Sequence, residues 1–207
     1  LKINAHDCLL DLCCGAGRHL VYLAKVCRYS AGLDYSPHLL ARAHHEMPTL
    51  PLVRGDMRAV PFRQAFDVVT NFFTSFGYFP SDEENALVAR EIGAALRPRG
   101  RFLIDHINTE HVLAHLEASS VRSRAGYEIR EQRWYDAEAH RLNKTAKVYR
   151  DGAIVTELSE SVRLYSPDEF TAMLRTCGLE TRVLYGGYNG ENFGQQTGRM
   201  IAVGHKR

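Results

Sequence analysis

The chain has 207 residues, 45% of them hydrophobic and 24% charged, with a formal net charge of +2. This balance describes one well-buried globular domain with room for an insertion, and so small a charge argues against a nucleic-acid or anionic-membrane partner. No apolar run approaches a membrane span and no signal peptide is visible; five cysteines without a Cys-x-x-Cys spacing indicate neither a disulfide framework nor a zinc ribbon, and fit a reducing, cytoplasmic setting.

The first patterned stretch, Leu9 to His19, reads Leu-Leu-Asp-Leu-Cys-Cys-Gly-Ala-Gly-Arg-His. An apolar run holding one acid reads as a buried strand. The chain then turns through Gly15 and Gly17, and Leu20, Val21, Leu23 and Ala24 follow at helical spacing. Strand, glycine turn and helix make a nucleotide-binding beginning, because glycine lets the backbone approach a ligand where a Cβ would clash. The same pattern also serves as a plain strand-to-helix turn. Tyr29 to Asp34 reads as a second strand ending in an acid, with Ser36 as N-cap and Pro37 at the first helical position. An acid there suits the two hydroxyls of a ribose, or a helix start favoured by the macrodipole.

Leu50 to Met57 is a third short strand followed by Gly-Asp-Met. Phe66 to Asn71 is a fourth, running into an aromatic lip of Phe72, Phe73, Phe76, Tyr78 and Phe79 that lines either a pocket or a core. Asp82 to Arg97 is an amphipathic helix with Ser81 as N-cap and acidic residues in its first turn. Pro98-Arg-Gly100 stops it, and Arg101 to His106 is the fifth strand.

Taken in order, these motifs over residues 8–106 resemble those of the class I S-adenosylmethionine-dependent methyltransferases. The residues that carry the resemblance are Leu-Asp-Leu-Cys-Cys-Gly-Ala-Gly-Arg, the acid Asp34, Gly55-Asp56-Met57 and the Leu-Arg-Pro-x-Gly turn. It implies a doubly wound, Rossmann-like α/β sheet of seven strands, the last antiparallel, with S-adenosylmethionine as cofactor. It further implies that the Gly15 and Gly17 backbone, with Cys13, passes the methionine part. Asp11 would organise that loop and Arg18 would pair with the carboxylate. Asp34 would hold the ribose, and Asp56 with the Met57 N–H the adenine. Asn71 and Phe72 would lie where the methyl is presented. Leu20 occupies the third-glycine position of G-x-G-x-x-G, which weighs against an NAD(P)-dependent oxidoreductase. That reading stays as the alternative, beside a cofactor-binding protein without turnover. Asn71-Phe72-Phe73 lacks both the Asn/Asp-Pro-Pro-aromatic motif of nucleobase and glutamine methyltransferases and the acid of magnesium-dependent catechol-type enzymes. The expectation is therefore metal-independent transfer to a small-molecule N or O acceptor.

Residues 109–160 interrupt the pattern, dividing a cofactor-binding part (1–108 and 161–207) from an inserted β lid. Glu110 to Ser119 reads as helix. Tyr127–Tyr135, Arg141–Tyr149 and Ala153–Tyr165 read as an antiparallel meander, with turns at Asp136–His140 and Asp151-Gly152. Alternation puts Ile129, Glu131, Arg133 and Tyr135 on one face and Arg130, Gln132 and Trp134 on the other. Such a sheet roofs a substrate, or alternatively joins two copies, so a dimer is compatible with the sequence. Ser166-Pro-Asp-Glu169 then opens a helix that Gly178 stops. Leu179–Tyr185 and Arg199–His205 are the last strands. Tyr78, His106 and Tyr165 are candidates to orient or deprotonate an acceptor, and Phe76, Arg133, Tyr135 and Arg199 candidates to bind it. His111 and His115 have a zinc-compatible spacing without a convergent third ligand, so no metal is expected.

Overall fold

A computed structural model describes residues 1–207. Strands β1 (Cys8–Leu12), β2 (Tyr29–Asp34), β3 (Leu52–Arg54), β4 (Phe66–Asn71) and β5 (Leu96–Ile107) alternate with helices α1 (Leu20–Val26), α2 (Pro37–Glu46) and α3 (Asp82–Ala95). After α4 (Thr109–Ala114) come β6 (Ser119–Arg124), β7 (Tyr127–Asp136), β8 (Arg141–Arg150) and β9 (Ala153–Arg163), and then α5 (Pro167–Thr176), β10 (Leu179–Tyr185) and β11 (Arg199–Lys206). One sheet has seven strands in the order β10-β11-β5-β4-β1-β2-β3, and a second has the four strands β6 to β9 in sequence. In the first, β1 to β5 run parallel to one another and β11 runs antiparallel to both β5 and β10. No helix is long and apolar enough to cross a membrane.

The central strands are apolar on both faces because helices cover both. Leu9 and Val68 point to a layer built with Leu20, Leu40, Ala43 and Met47 from the α1–α2 side. Leu10, Leu12, Val69, Phe102 and Ile104 point the other way, into a larger core with Val88, Ile92, Phe170 and Leu174 from α3 and α5. Helices begin where hydroxyls take up the first free N–H groups. Ser36 accepts from the Leu39 N–H at 3.3 Å and Ser81 from Glu84 at 3.2 Å. Ser166 and Glu169 form a reciprocal capping box.

The insertion differs from the sequence reading at its start. The helix read over Glu110–Ser119 ends at Ala114, and Ser119–Arg124 is a fourth strand, paired with β7. The hairpin turns at Ala125 and Gly126, whose φ angles are 51° and 80°, the left-handed pair that tight hairpins need. The strand was hard to read because Val121, its lone large apolar residue, is 65% exposed, so no apolar alternation marks it. β5 also starts earlier than read, at Leu96, with a register shift opposite Phe66–Val68 that absorbs the Pro98–Gly100 turn. The four-stranded sheet leans on the aromatic lip: the Arg163 N–H donates to the Gly77 carbonyl at 2.8 Å.

The capping box fixes where the chain leaves the insertion and re-enters the large sheet. Ser166→Ala removes the acceptor for the Glu169 N–H and is expected to cost about 1 kcal/mol, read as a lower urea midpoint with an unchanged slope.

Candidate active site

Strand order reverses between β1 and β4, and in open α/β sheets the crevice beyond the strand ends at such a point is where ligands sit. Leaving β1, the backbone takes left-handed φ at Cys13 (62°), Gly15 (56°) and Gly17 (80°). The two glycines serve different ends. A Cβ at Gly15 would meet nothing nearer than Leu39 Cδ1 at 3.9 Å, whereas one at Gly17 would sit 2.0 Å from Met47 Cε. Gly15 thus keeps the crevice open, and Gly17 lets α2 pack against the loop. The loop is pinned from β2. The Cys14 N–H donates to the Leu33 carbonyl at 3.1 Å. Asp34 Oδ2 accepts from the Gly15 N–H and Oδ1 from the Ser36 N–H, both at 2.8 Å.

Two adjoining cavities follow the strand ends. One, of about 410 Å³, is bounded by Gly15, Arg18, His19, Phe72 and Phe73. The other, of about 650 Å³, is bounded by Tyr35, Asp56, Met57, Arg58, Tyr78 and Phe79. Cys13, Asp34, Leu39 and Ser75 line both, so they form one groove with Asp34 at its middle.

The groups around this groove have distinct electrostatic states. Asp11 is 1% exposed; its Oδ1 accepts from the Thr70 hydroxyl at 3.0 Å and its Oδ2 has no partner. Burial pushes its carboxyl up to about 7, a Thr70 hydrogen bond opposes this, and the nearby Asp34 charge adds to it. The Cys13 thiol lies 3.3 Å from Met57 Sδ, joining the first loop to the third, and burial pushes it well up, so it stays protonated. Asp56 is held below the usual carboxylate range by hydrogen bonds from Arg58, whose Nη2 donates to Oδ2 at 2.7 Å. Arg58 also reaches Glu84 at 2.6 Å and rests 4.2 Å over the Phe79 ring. His19 stacks on Phe72 and Phe73 with centroids 4.6 and 4.9 Å away. Burial, then the Arg18 charge, lower its pKa, which leaves the imidazole neutral at pH 7. Arg18 lies 4.2 Å over the Phe73 ring. Sequence reasoning passed over His19 and Arg58; the only signal for His19 was its place directly after the glycine turn.

Several expected site residues stand elsewhere. Asn71 is wholly buried and donates to the Leu12 carbonyl at 2.9 Å, behind the groove wall rather than in it. His106 is wholly buried between Tyr165 and Phe170, with ring centroids 5.7 and 5.6 Å away. Desolvation pushes it down to about 4, so it is a neutral core residue. Tyr165, 2% exposed, donates to Asp82 Oδ1 at 2.8 Å. Phe76 meets Phe170 edge-on at 5.5 Å. All three side chains belong to the layer under α5, away from the strand ends. Arg199 is committed to a buried carboxylate: its Nε lies 2.7 Å from Asp105 Oδ1 and its Nη2 2.8 Å from the Thr74 hydroxyl. Asp105 also accepts from Tyr188 and, at 2.7 Å, from the Phe73 N–H. Arg133 pairs with Glu131 inside its own sheet, and the Tyr135 hydroxyl faces His140 Nδ1 at 3.1 Å. Neither lines the groove, whose lining residues all fall between Cys13 and Phe79. Tyr78 is the one candidate proton-handling residue on the groove wall, and burial raises its pKa, leaving a neutral phenol. No group of three or more His, Cys, Asp or Glu side chains converges; His111 and His115 stack on each other at 4.3 Å.

A family profile described as a methyltransferase domain matches residues 9–100. A Streptomyces venezuelae dTDP-3-amino-3,4,6-trideoxy-alpha-D-glucopyranose N,N-dimethyltransferase is 28% identical over 192 residues, spanning 88% of this chain and 79% of that protein. The CcbJ methyltransferase of Streptomyces caelestis superposes with a TM-score of 0.86 at 19% identity, over 99% of this chain and 85% of its own. The S-adenosylmethionine-bound amino pentose methyltransferase CalS10 of Micromonospora echinaspora superposes with a TM-score of 0.69 at 23% identity, over 94% and 82%.

Because Asp34 accepts twice, its substitution reads the clamp on both loops. An amide must turn its NH₂ towards one of the two N–H donors, so asparagine keeps at most one bond. Asp34→Ala and Asp34→Asn are both expected to lose at least about 1.5 kcal/mol in urea unfolding, the lower end for a hydrogen bond to a charged group. Wild-type stability in Asp34→Asn would mean that the carboxylate does not clamp both loops.

Proposed function

We propose that this chain is a class I S-adenosylmethionine-dependent methyltransferase that methylates the amino nitrogen of a small molecule, with nucleotide-linked amino sugars as the acceptor class. The acceptor class rests on the N,N-dimethyltransferase names of the relatives that match most of the chain. The observation that carries the reading is the single groove running from Gly15 past Asp34 to Phe79 along the strand ends.

The residues present fit S-adenosylmethionine. The open side of Gly15 lies at one end of the groove; Asp11, buried at the strand end before that loop with Oδ2 unpartnered, favours a ligand ammonium there through its charge rather than by contact. Arg18 takes the ligand carboxylate there. Asp34 accepts the ribose hydroxyls with the lone pairs that its two backbone bonds leave free. Asp56, with the Met57 N–H, faces the base in the larger cavity. The cofactor when bound supplies a methyl group already activated on a sulfonium. The chain aligns donor and acceptor and excludes water. The faces of Phe72, Phe73 and His19 line the cavity at the strand ends and favour a cationic group. Tyr78 stands as a neutral phenol on the wall of the larger cavity.

The sign of the pH dependence follows from Asp11. The unfolded carboxyl ionises near 3.8 and the folded one near 7. Between those values the folded state holds more protons, so this group's contribution to stability falls as pH rises. The carboxylate form favours a ligand ammonium through its charge, so S-adenosylhomocysteine is expected to bind at micromolar levels and to tighten from pH 6 to pH 8. Asp11→Asn flattens that dependence. Calorimetric titration measures both, and a preference for nicotinamide dinucleotides would end the donor assignment. Mass spectrometry after incubation with S-adenosylmethionine and a panel of free and nucleotide-linked amino sugars tests the acceptor. Methyl increments on none of them, from protein that binds the donor, would overturn the amine class.

A further inference from the structure

The inserted sheet reaches the groove at one point, and one side chain makes most of the polar contact there. Arg141, at the start of β8, sends Nη1 to the Phe79 carbonyl at 2.8 Å and Nη2 to the Tyr78 carbonyl at 3.2 Å and the Gly77 carbonyl at 3.4 Å. Its Nε holds the Ser161 hydroxyl at 2.7 Å and its Nη2 the Ser161 carbonyl at 2.9 Å. A guanidinium is a fixed planar fork of donors. This one grips three successive carbonyls of the lip from one side while its other edge is fixed to β9. The lip itself has little freedom: Gly77 has φ 93°, and a Cβ there would lie 2.9 Å from the Arg163 carbonyl. The Tyr78 and Phe79 side chains, between the gripped carbonyls, form one wall of the 650 Å³ cavity. Phe79 in turn supports the Arg58 guanidinium that holds Asp56.

We propose that Arg141 is a positioning residue through which the inserted sheet sets the shape of the donor cavity, by holding the Gly77–Phe79 lip. This rests on the reading that the larger cavity takes the adenosine part of the donor. The insertion thereby acts on donor binding, where the sequence suggested a roof for the acceptor through Arg133 and Tyr135. The lip has a second anchor, Asn85, which accepts from the Phe79 N–H at 3.2 Å, and the sheet keeps its main-chain bond from Arg163 to Gly77. Loss of the Arg141 fork therefore loosens the wall without detaching the sheet.

The test compares R141M, R141K and R133M with wild type, using S-adenosylhomocysteine titration and amide hydrogen exchange of residues 77–80 in the ligand-free protein. R141M is expected to bind S-adenosylhomocysteine roughly tenfold more weakly, the loss of about one charge-assisted hydrogen bond, and to exchange faster in the lip. R141K, which keeps one cationic donor group, recovers part of both. R133M breaks an ion pair to Glu131, which is 5% exposed, but it touches no lip atom and leaves both readouts at wild-type values. Wild-type affinity in R141M overturns the proposal, and so does equal weakening in R133M, since general loosening of the sheet would then suffice. If wild type takes up no S-adenosylhomocysteine, the donor reading fails by itself; the exchange measurement then stands alone, and unchanged exchange in R141M shows that Arg141 does not hold the lip.

Discussion

The groove exists because one carboxylate ties two loops to the end of one strand. Asp34 accepts from the Gly15 and Ser36 N–H groups, and so fixes the glycine turn after β1 against the start of α2. The turn needs such a fixture. Cys13 carries a left-handed φ of 62°, a conformation that costs a residue with a Cβ about 1–3 kcal/mol and persists only where its surroundings hold it. Without the clamp from β2, Cys13 would be free to relax, Gly15 would leave the cavity edge, and the contact between Cys13 and Met57 would open. The fixture also explains a negative charge at the middle of a groove that otherwise has an apolar floor. Two backbone dipoles stabilise it, and its remaining lone pairs point where a ligand hydroxyl can meet them.

The charged groups around the groove divide into those that build the wall and those that face the opening. Asp105 with Arg199, and Asp56 with Arg58 and Glu84, are closed sets in which each charge has a counter-charge. Asp105 is wholly buried and paired with Arg199, and through its bonds from the Phe73 N–H and the Tyr188 hydroxyl the pair fixes both residues at the mouth. Arg18, by contrast, rests on the face of Phe73, beside the neutral His19 that stacks on the same ring. Cationic surface on an aromatic floor beside a half-satisfied Asp11 suits a zwitterionic ligand end.

The parts of this molecule readable from the sequence were those set by short-range rules. Glycines at left-handed positions, hydroxyl N-caps at Ser36, Ser81 and Ser166, and the apolar central strands all announce themselves within a few residues. The acid after β2 was readable too, because strand, turn and helix fix its height. What failed had its cause far along the chain. His106 and Tyr165 look like proton-handling residues until the fold brings Phe170 against both. Arg199 looks like a free cation until Asp105, 94 residues earlier, takes it up. Arg133 and Arg141 stand eight positions apart by number and look interchangeable in sequence. One turns into its own sheet and the other onto the lip, a difference set by strand register and the docking of one hairpin end. The exposed polar strand β6 carried no pattern at all, since neither face supplies an apolar stripe.

The order of strands in the large sheet has a consequence for how the molecule comes to be made. β11, the final strand, lies inside the sheet between β5 and β10. During synthesis the five parallel strands can assemble on α1 to α3, but the outer edge of β5 stays open until residues 199–206 emerge. The antiparallel sheet, whose neighbours in space are neighbours in sequence, closes before that. The nascent chain therefore passes through a stage with an unpaired, largely apolar strand edge, a template for pairing between chains. That edge, residues 101–107, carries Arg101 at its start and the inward-pointing Asp105, and inward-pointing charges are one way that proteins keep such an edge from meeting its copy.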